Sequence, residues 1–325
     1  MQLRIGFSLG SLLSVSNIME CSKILSKYRF DSVWIPETWG MECNSIISAV
    51  SQIVKTPKIG SSIMNVYSRS PALVAMSAVT LDTISNGRFI LGLGTSSQTI
   101  VNDWHGLKFE SPINRMQEYV NIIRLIISGN KVNYDGELFH LKNFTLLIKP
   151  QKNNIPIYLA AINTKMVELT WDIADGVIFY LRPITELRST IERMQKKKRI
   201  DVACQLITCV STDEEEAINR AKKTIAFYVS VGKIYREFLA KNGFSKETKA
   251  ILDEYVKTGF QNNYLSVPDS MVHALTICGT PENVTKKLKS FVNAGVDLPI
   301  IQFNPIGNVV ESFNLLLSSL ESEIG

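Results

Sequence analysis

The chain has 325 residues, 45% hydrophobic and 20% charged, which is enough apolar material for a large core and excludes a disordered chain. The net charge of +5 is modest. Its densest basic run, Lys196-Lys197-Lys198-Arg199, ends a helical pattern with no interleaved aromatic residue, so it reads as a solvated helix end and not as a nucleic-acid surface.

In chain order, Met1-Gln2 runs directly into a strand-like segment, 3–9, with no leader pattern before it and no 18-residue apolar stretch anywhere, so a soluble, cytoplasmic protein is expected. Ile18, Cys21, Ile24 and Leu25 keep helical spacing within 17–28. Strand 31–36, helix 45–54 and strand 58–63 follow. Ser70-Pro71 then opens a helix as cap and first turn, and that helix stops near Asn86-Gly87. After strand 88–93 come a loop with Trp104-His105-Gly106, an amphipathic helix 114–128 and a hairpin turning at Asp135-Gly136-Glu137. Strands 155–160, 176–180, 203–210 and 299–303 alternate with helices 165–173, 184–195, 214–231 and 281–294, and a last helix runs to about residue 320.

Serial βα units imply a parallel sheet, and about eight of them imply a closed (β/α)8 barrel, with a doubly wound open sheet as the main rival. A helical insertion is expected at about 232–270, and no linker or repeat divides residues 1–325, so one domain is expected. The five cysteines, Cys21, Cys43, Cys204, Cys209 and Cys278, lie in apolar patterns with no CxxC pair and no metal-ligand spacing, and read as buried free thiols.

Residues at the C-terminal ends of successive parallel strands share one mouth, so the chemistry is sought there. Glu37 ends the second strand beside Trp39; burial would raise its pKa and suit it to proton transfer, the alternative being a salt-bridged or capping glutamate. Asn65 and Arg69 follow the third strand, and Arg69 would either clamp an anion or bridge to a carboxylate. The strand end Gly92-Leu93-Gly94-Thr95-Ser96-Ser97 lets a planar ligand or a phosphate approach the backbone. Loop-borne His105 is a second candidate for proton handling. His140 and His273 read as structural.

Taken together, Asn65-Val66-Tyr67-Ser68-Arg69-Ser70-Pro71, the segment Thr80-Leu81-Asp82-Thr83-Ile84-Ser85-Asn86-Gly87-Arg88 and the Gly-rich strand end resemble the bacterial-luciferase-like superfamily of flavin- and deazaflavin-dependent oxidoreductases. Within it the likeness is to the coenzyme F420-dependent branch and its methylenetetrahydromethanopterin reductases. The resemblance implies a barrel of the luciferase-like type with the cofactor at its C-terminal mouth. It implies a cis Ser62-Ile63 peptide in a bulge behind the deazaflavin ring, with Asn65 beside it and Thr95 and Ser96 along the ring or tail. Ala161, Ile162, Asn163 and Thr164 would hold the phosphate, with Gly176 and Val177 opposite. Three positions depart from the family's pattern: its Asp-His pair reads Glu37-Thr38, its acid after the Gly-rich strand is Ser97, and its phosphate-loop glycine is replaced within Ile162-Asn163.

The expected activity is hydride transfer between reduced F420 and a small organic substrate, by a homodimer, with Glu37 and His105 handling protons. The alternatives are an FMN-dependent monooxygenase of the same fold and a non-catalytic flavin-binding barrel. No metal, nucleic-acid partner or membrane is expected.

Overall fold

The structure is a computed structural model and describes residues 3–10, 12–151 and 154–324; Met1-Gln2 lies outside the described residues. Eight parallel strands form a closed TIM barrel: β1 (Gly6–Ser8), β2 (Ser32–Ile35), β3 (Lys58–Ser61), β4 (Phe89–Gly94), β5 (Ile157–Ala160), β6 (Gly176–Tyr180), β7 (Asp201–Val210) and β8 (Leu298–Phe303). Neighbours pair in sequence order, and β8 closes the ring by pairing with both β7 and β1.

The strands are almost wholly buried on both faces, which is why most of them read as short runs rich in apolar residues. Along β2 the alternation is visible. Trp34 joins Tyr158, Ile178 and Ile300 inside the barrel, while Val33 and Ile35 pack outward against the helices. The Trp34 and Tyr158 rings, 5.8 Å apart, fill the lower interior. Below them Arg4 donates to Asp31 at 3.0 Å and to both Asp201 oxygens at 2.8 Å, and the Tyr158 hydroxyl donates to Asp201. Burial alone would raise the Asp201 carboxyl; the bonds from Arg4 and Tyr158 outweigh it and hold the group below its usual value. That plug shuts the N-terminal end, so any cavity must open at the other.

Helices follow the expected order. Pro71–Ile84 is capped by Ser70, whose hydroxyl accepts from the Leu73 amide at 3.2 Å, and Glu214–Val231 is capped by Asp213. The hairpin Val132–Asp135 with His140–Phe144 forms as expected. It is fastened by buried Glu118, which accepts from the amides of Glu137, Leu138 and Phe139. All five cysteines are free and buried, and Lys196 to Arg199 are exposed after helix Ile184–Gln195.

The insertion comprises helices Lys233–Leu239, Ser245–Thr258 and Asp269–Leu275, packed on Glu214–Val231 around Val229, Leu239, Ile251 and Met271. One strand was not foreseen: Thr276–Gly279 pairs with Ile207–Val210 of β7, while β6 pairs with the lower Asp201–Gln205. Its four residues follow a helix without any turn signal, so the apolar run merges with the helical pattern before it.

Between β3 and β4 the register slips by one. Gly60 pairs with Ile90, but Met64 pairs with Leu93, leaving an extra residue on the β3 side. That is a β-bulge, and it contains a cis Ser62-Ile63 peptide, as expected. The Ser61 hydroxyl donates to Gly92 O at 2.8 Å and accepts from Gly92 N at 2.9 Å, and Ser62 N donates to Ile35 O. A Cβ at Gly92 would lie 1.9 Å from Ser61 O, so only glycine allows this approach.

Candidate functional site

A cavity of about 670 Å³ opens at the C-terminal mouth. Its floor is Ile63 and Ile178, the upper members of the barrel-interior cluster. One wall is the bulge, with Ser62, Gly94, Thr95 and Ser96; Ser96 turns the chain with φ of 58°. The adjoining wall is the β5 end, Ala160 to Lys165. Here Asn163 caps helix Thr164–Ile173, accepting from Met166 N at 3.0 Å, so the amides of Thr164 and Lys165 remain free of helical partners. The loop is pinned from behind by Arg182, a residue absent from the sequence reading. Its guanidinium donates to Ile162 O and Glu186 and lies 4.5 Å from both the Phe179 and Phe238 rings. Burial pulls Arg182 below its usual value even beside Glu186.

Of the residues expected at the site, Ser62, Ile63, Thr95, Ser96, Ala161, Ile162, Asn163, Thr164 and Glu37 line this cavity. Asn65 does not: it is buried under the bulge, its Oδ1 accepting from Tyr67 N at 2.9 Å. Gly176 and Val177 do not either, because they begin β6 and so lie at the plugged end. A Cβ on Gly176 would press on the Tyr158 ring at 2.7 Å, and Val177 is fully buried in the core.

Glu37 departs from the expected proton carrier. Arg69 grips it in two bonds of 2.6 and 2.8 Å, and the Cys43 amide donates a third at 3.2 Å. Burial pushes its carboxyl up, but the bonds and charge of Arg69 win and hold it below the usual range. The salt-bridged alternative is the one observed. Arg69 also donates to Glu42 at 2.9 Å and is committed to carboxylates, so it does not clamp a ligand. His105 is exposed at the end of the π-helical turn Ile100–Trp104 and does not line the cavity, so neither proton-handling candidate is presented as a free acid or base.

The sequence reading missed the opposite wall. Ser8, Tyr180, Gln205 and Gln302 reach the cavity from β1, β6, β7 and β8, with Tyr228 and Tyr235 beside them. Tyr180 lies 5.0 Å from Tyr228 and 5.8 Å from Tyr235, ring to ring and edge-on. Burial raises all three phenols, so they stay protonated. At the rim Trp39 meets Trp104 and Phe227 at 5.9 and 5.1 Å. The Tyr180 hydroxyl is tied to Tyr228 and Gln302, and the Ser62 hydroxyl, Gln205 Oε1 and Gln302 Oε1 are buried without a hydrogen-bond partner. Buried polar atoms are rarely left so, and all four residues line the one cavity, which makes it the candidate ligand site. A slot with small residues on one side and polar groups on the other fits a planar, hydrogen-bonding ring.

The chain belongs to the luciferase-like monooxygenase family, whose sequence model matches residues 4–298. It is 28% identical over 297 residues to 5,10-methylenetetrahydromethanopterin reductase of Archaeoglobus fulgidus, covering 88% of each chain. A reductase of the same description from Methanolobus tindarius is 27% identical over 304 residues, covering 90% of this chain and 91% of that one. The fold matches that of the coenzyme F420 dependent tetrahydromethanopterin reductase of Methanopyrus kandleri, with a TM-score of 0.86 at 22% identity over 98% of both chains. It also matches an F420-dependent secondary alcohol dehydrogenase bound to an F420-acetone adduct, with a TM-score of 0.79 at 18% identity over 99% of both.

Proposed function

Taking this family membership as the premise, we propose that the protein is a coenzyme F420-dependent oxidoreductase that moves a hydride between the reduced deazaflavin and a small organic substrate. The observation that carries the reading is the convergence of the Ser62-Ile63 bulge and the helix N-terminus at Asn163-Thr164-Lys165 on one cavity. Ser62 and Ile63 would support the ring from behind, and Thr95 and Ser96 would lie along its edge. Ala161, Ile162, Asn163 and Thr164 would hold the phosphate, where free amides and the helix dipole favour an anion. Bound there, the deazaflavin supplies the hydride chemistry; the protein orients it and keeps water away. The Glu37–Arg69 pair shapes the mouth in this reading and moves no proton.

The test is a competition titration of F420 against FMN at fixed ionic strength. Tighter F420 binding supports the proposal. Tighter FMN binding with oxygen-dependent turnover would make the protein a monooxygenase, and binding of neither would leave a barrel without redox chemistry. Methylenetetrahydromethanopterin is the first substrate to assay, with Ser97 the departure that argues for a different one. The same reading takes residues 1–325 as one domain and the protein as cytoplasmic; among the described residues no helix is long and apolar enough to cross a membrane. It also takes the protein as a homodimer through Leu73, Met76 and Ile84, exposed on helix Pro71–Ile84, which sedimentation would test.

A further inference from the structure

We infer that the wall formed by Ser8, Gln302, Gln205 and Tyr180 is a selectivity surface for an uncharged, planar substrate that presents an amide-type edge, and that it rejects carboxylates. The inference rests on the F420 reading for one point only, which side of the cavity is left to the substrate. β7 stands across the eight-stranded ring from β3, so Gln205 faces the Ser62-Ile63 bulge across the cavity. With the deazaflavin ring against the bulge, the glutamine wall is the substrate's.

The strand register makes that wall continuous. Ser8 is level with Gln302 across β1 and β8, Gln205 is level with Ile300 one layer down, and Tyr180 is level with Gln205 across β6 and β7. Gln205 Oε1 and Gln302 Oε1 are buried and unpartnered, the Tyr180 hydroxyl is tied to Tyr228 and Gln302, and each glutamine also carries an N–H2 beside its carbonyl. Two primary amides and a phenol therefore offer donors and acceptors side by side, the complement of a carboxamide or lactam edge, which also carries both. A carboxylate accepts but does not donate, and would leave the glutamine carbonyls without partners.

Charge points the same way. Among the described residues lining the cavity, Glu37 and Lys165 alone carry full charge. Glu37 is neutralised by Arg69, and Lys165 is exposed at the rim. No cation stands beside the glutamines, so an anion placed there would be desolvated without compensation. The tyrosines and the Trp39–Trp104 rim supply aromatic faces and edges for the rest of a flat molecule.

The experiment compares quinoline-3-carboxamide with its isosteric carboxylate by saturation-transfer NMR at pH 7.5, on the protein alone and on the protein saturated with F420. The carboxamide is expected to bind at least tenfold more tightly in both states. Gln205→Leu and Gln302→Leu are each expected to cut that ratio at least fivefold while F420 affinity stays within twofold. Tyr180→Phe, which removes only the hydroxyl, serves where a leucine variant does not fold, and is expected to weaken the carboxamide about fivefold or more. A ratio near one, a ratio unchanged by these substitutions, or displacement of F420 by the carboxamide overturns the inference. Failure of F420 to bind at all, with the ratio intact on the protein alone, overturns the cofactor reading and leaves the selectivity standing.

Discussion

Glu37→Gln separates a structural from a chemical role for the carboxylate in the cavity wall. Glu37 and Arg69 side chains are 13% and 15% exposed, so the pair is largely removed from water. Removing one partner of a buried pair costs about 3–5 kcal/mol, mostly from the stranded charge. Arg69 keeps Glu42, whose side chain is 43% exposed, and the glutamine carbonyl still accepts one bond, so about 2–3 kcal/mol is expected. For a chain of this size that lowers the melting temperature by about 3–4 °C at pH 7.5. The pH dependence has a definite sign. The folded-state carboxyl lies below its unfolded value, so the pair's stabilisation is complete above the unfolded pKa and is lost as pH falls through the folded one. The melting gap between wild type and variant should therefore narrow as pH drops below about 4. F420 affinity, followed by fluorescence titration, should change less than about threefold, roughly 0.6 kcal/mol. A melting temperature within about 1 °C of wild type, together with a hundredfold or greater loss of turnover, would refute this reasoning and restore Glu37 as an acid or base.

Gly92→Ala should cost about 3 kcal/mol or more, because its Cβ would sit 1.9 Å from a backbone oxygen that no rotamer can move; Gly40→Ala, with nothing within 4 Å, should be near neutral by the same melting assay. Asn163→Ala should lose a helix cap worth about 1 kcal/mol and weaken F420 binding several-fold, measured by titration; unchanged affinity would move the phosphate elsewhere. Burial pushes the Cys21 and Cys204 thiols up to about 12, so with all five cysteines buried none should react with a thiol reagent at pH 8 until denaturant is added, and prompt labelling of any one would contradict the fold around it.

The barrel was legible because strands buried on both faces show as short, mostly apolar runs, and eight such runs alternate with helical patterns along the chain. The site was legible only in part. Small residues at strand ends pointed to the bulge and the loop before helix Thr164–Ile173, since backbone access is a local property. Glu37 and Arg69 stand 32 positions apart, and nothing local to either says that they meet. Gly176 was assigned by likeness to the mouth, whereas its place at the start of a strand sets it at the opposite end. The glutamine wall did leave a signal: Gln205 and Gln302 are amides inside largely apolar strands, and burying an amide there needs a reason.

The cavity's two sides come from separate stretches of the chain. The bulge, the Gly-rich strand end and the Asn163 loop lie between residues 62 and 165. Apart from Ser8, the glutamine and tyrosine side lies between 180 and 302, and Ile234 and Tyr235 come from the inserted helices. A lineage can therefore revise one side of the pocket through its later codons while leaving the bulge and the Asn163 loop untouched. For the engineer the same separation marks out a library: randomising 228–235 with 205 and 302 varies one side of the cavity while the bulge and the Asn163 loop stay as they are.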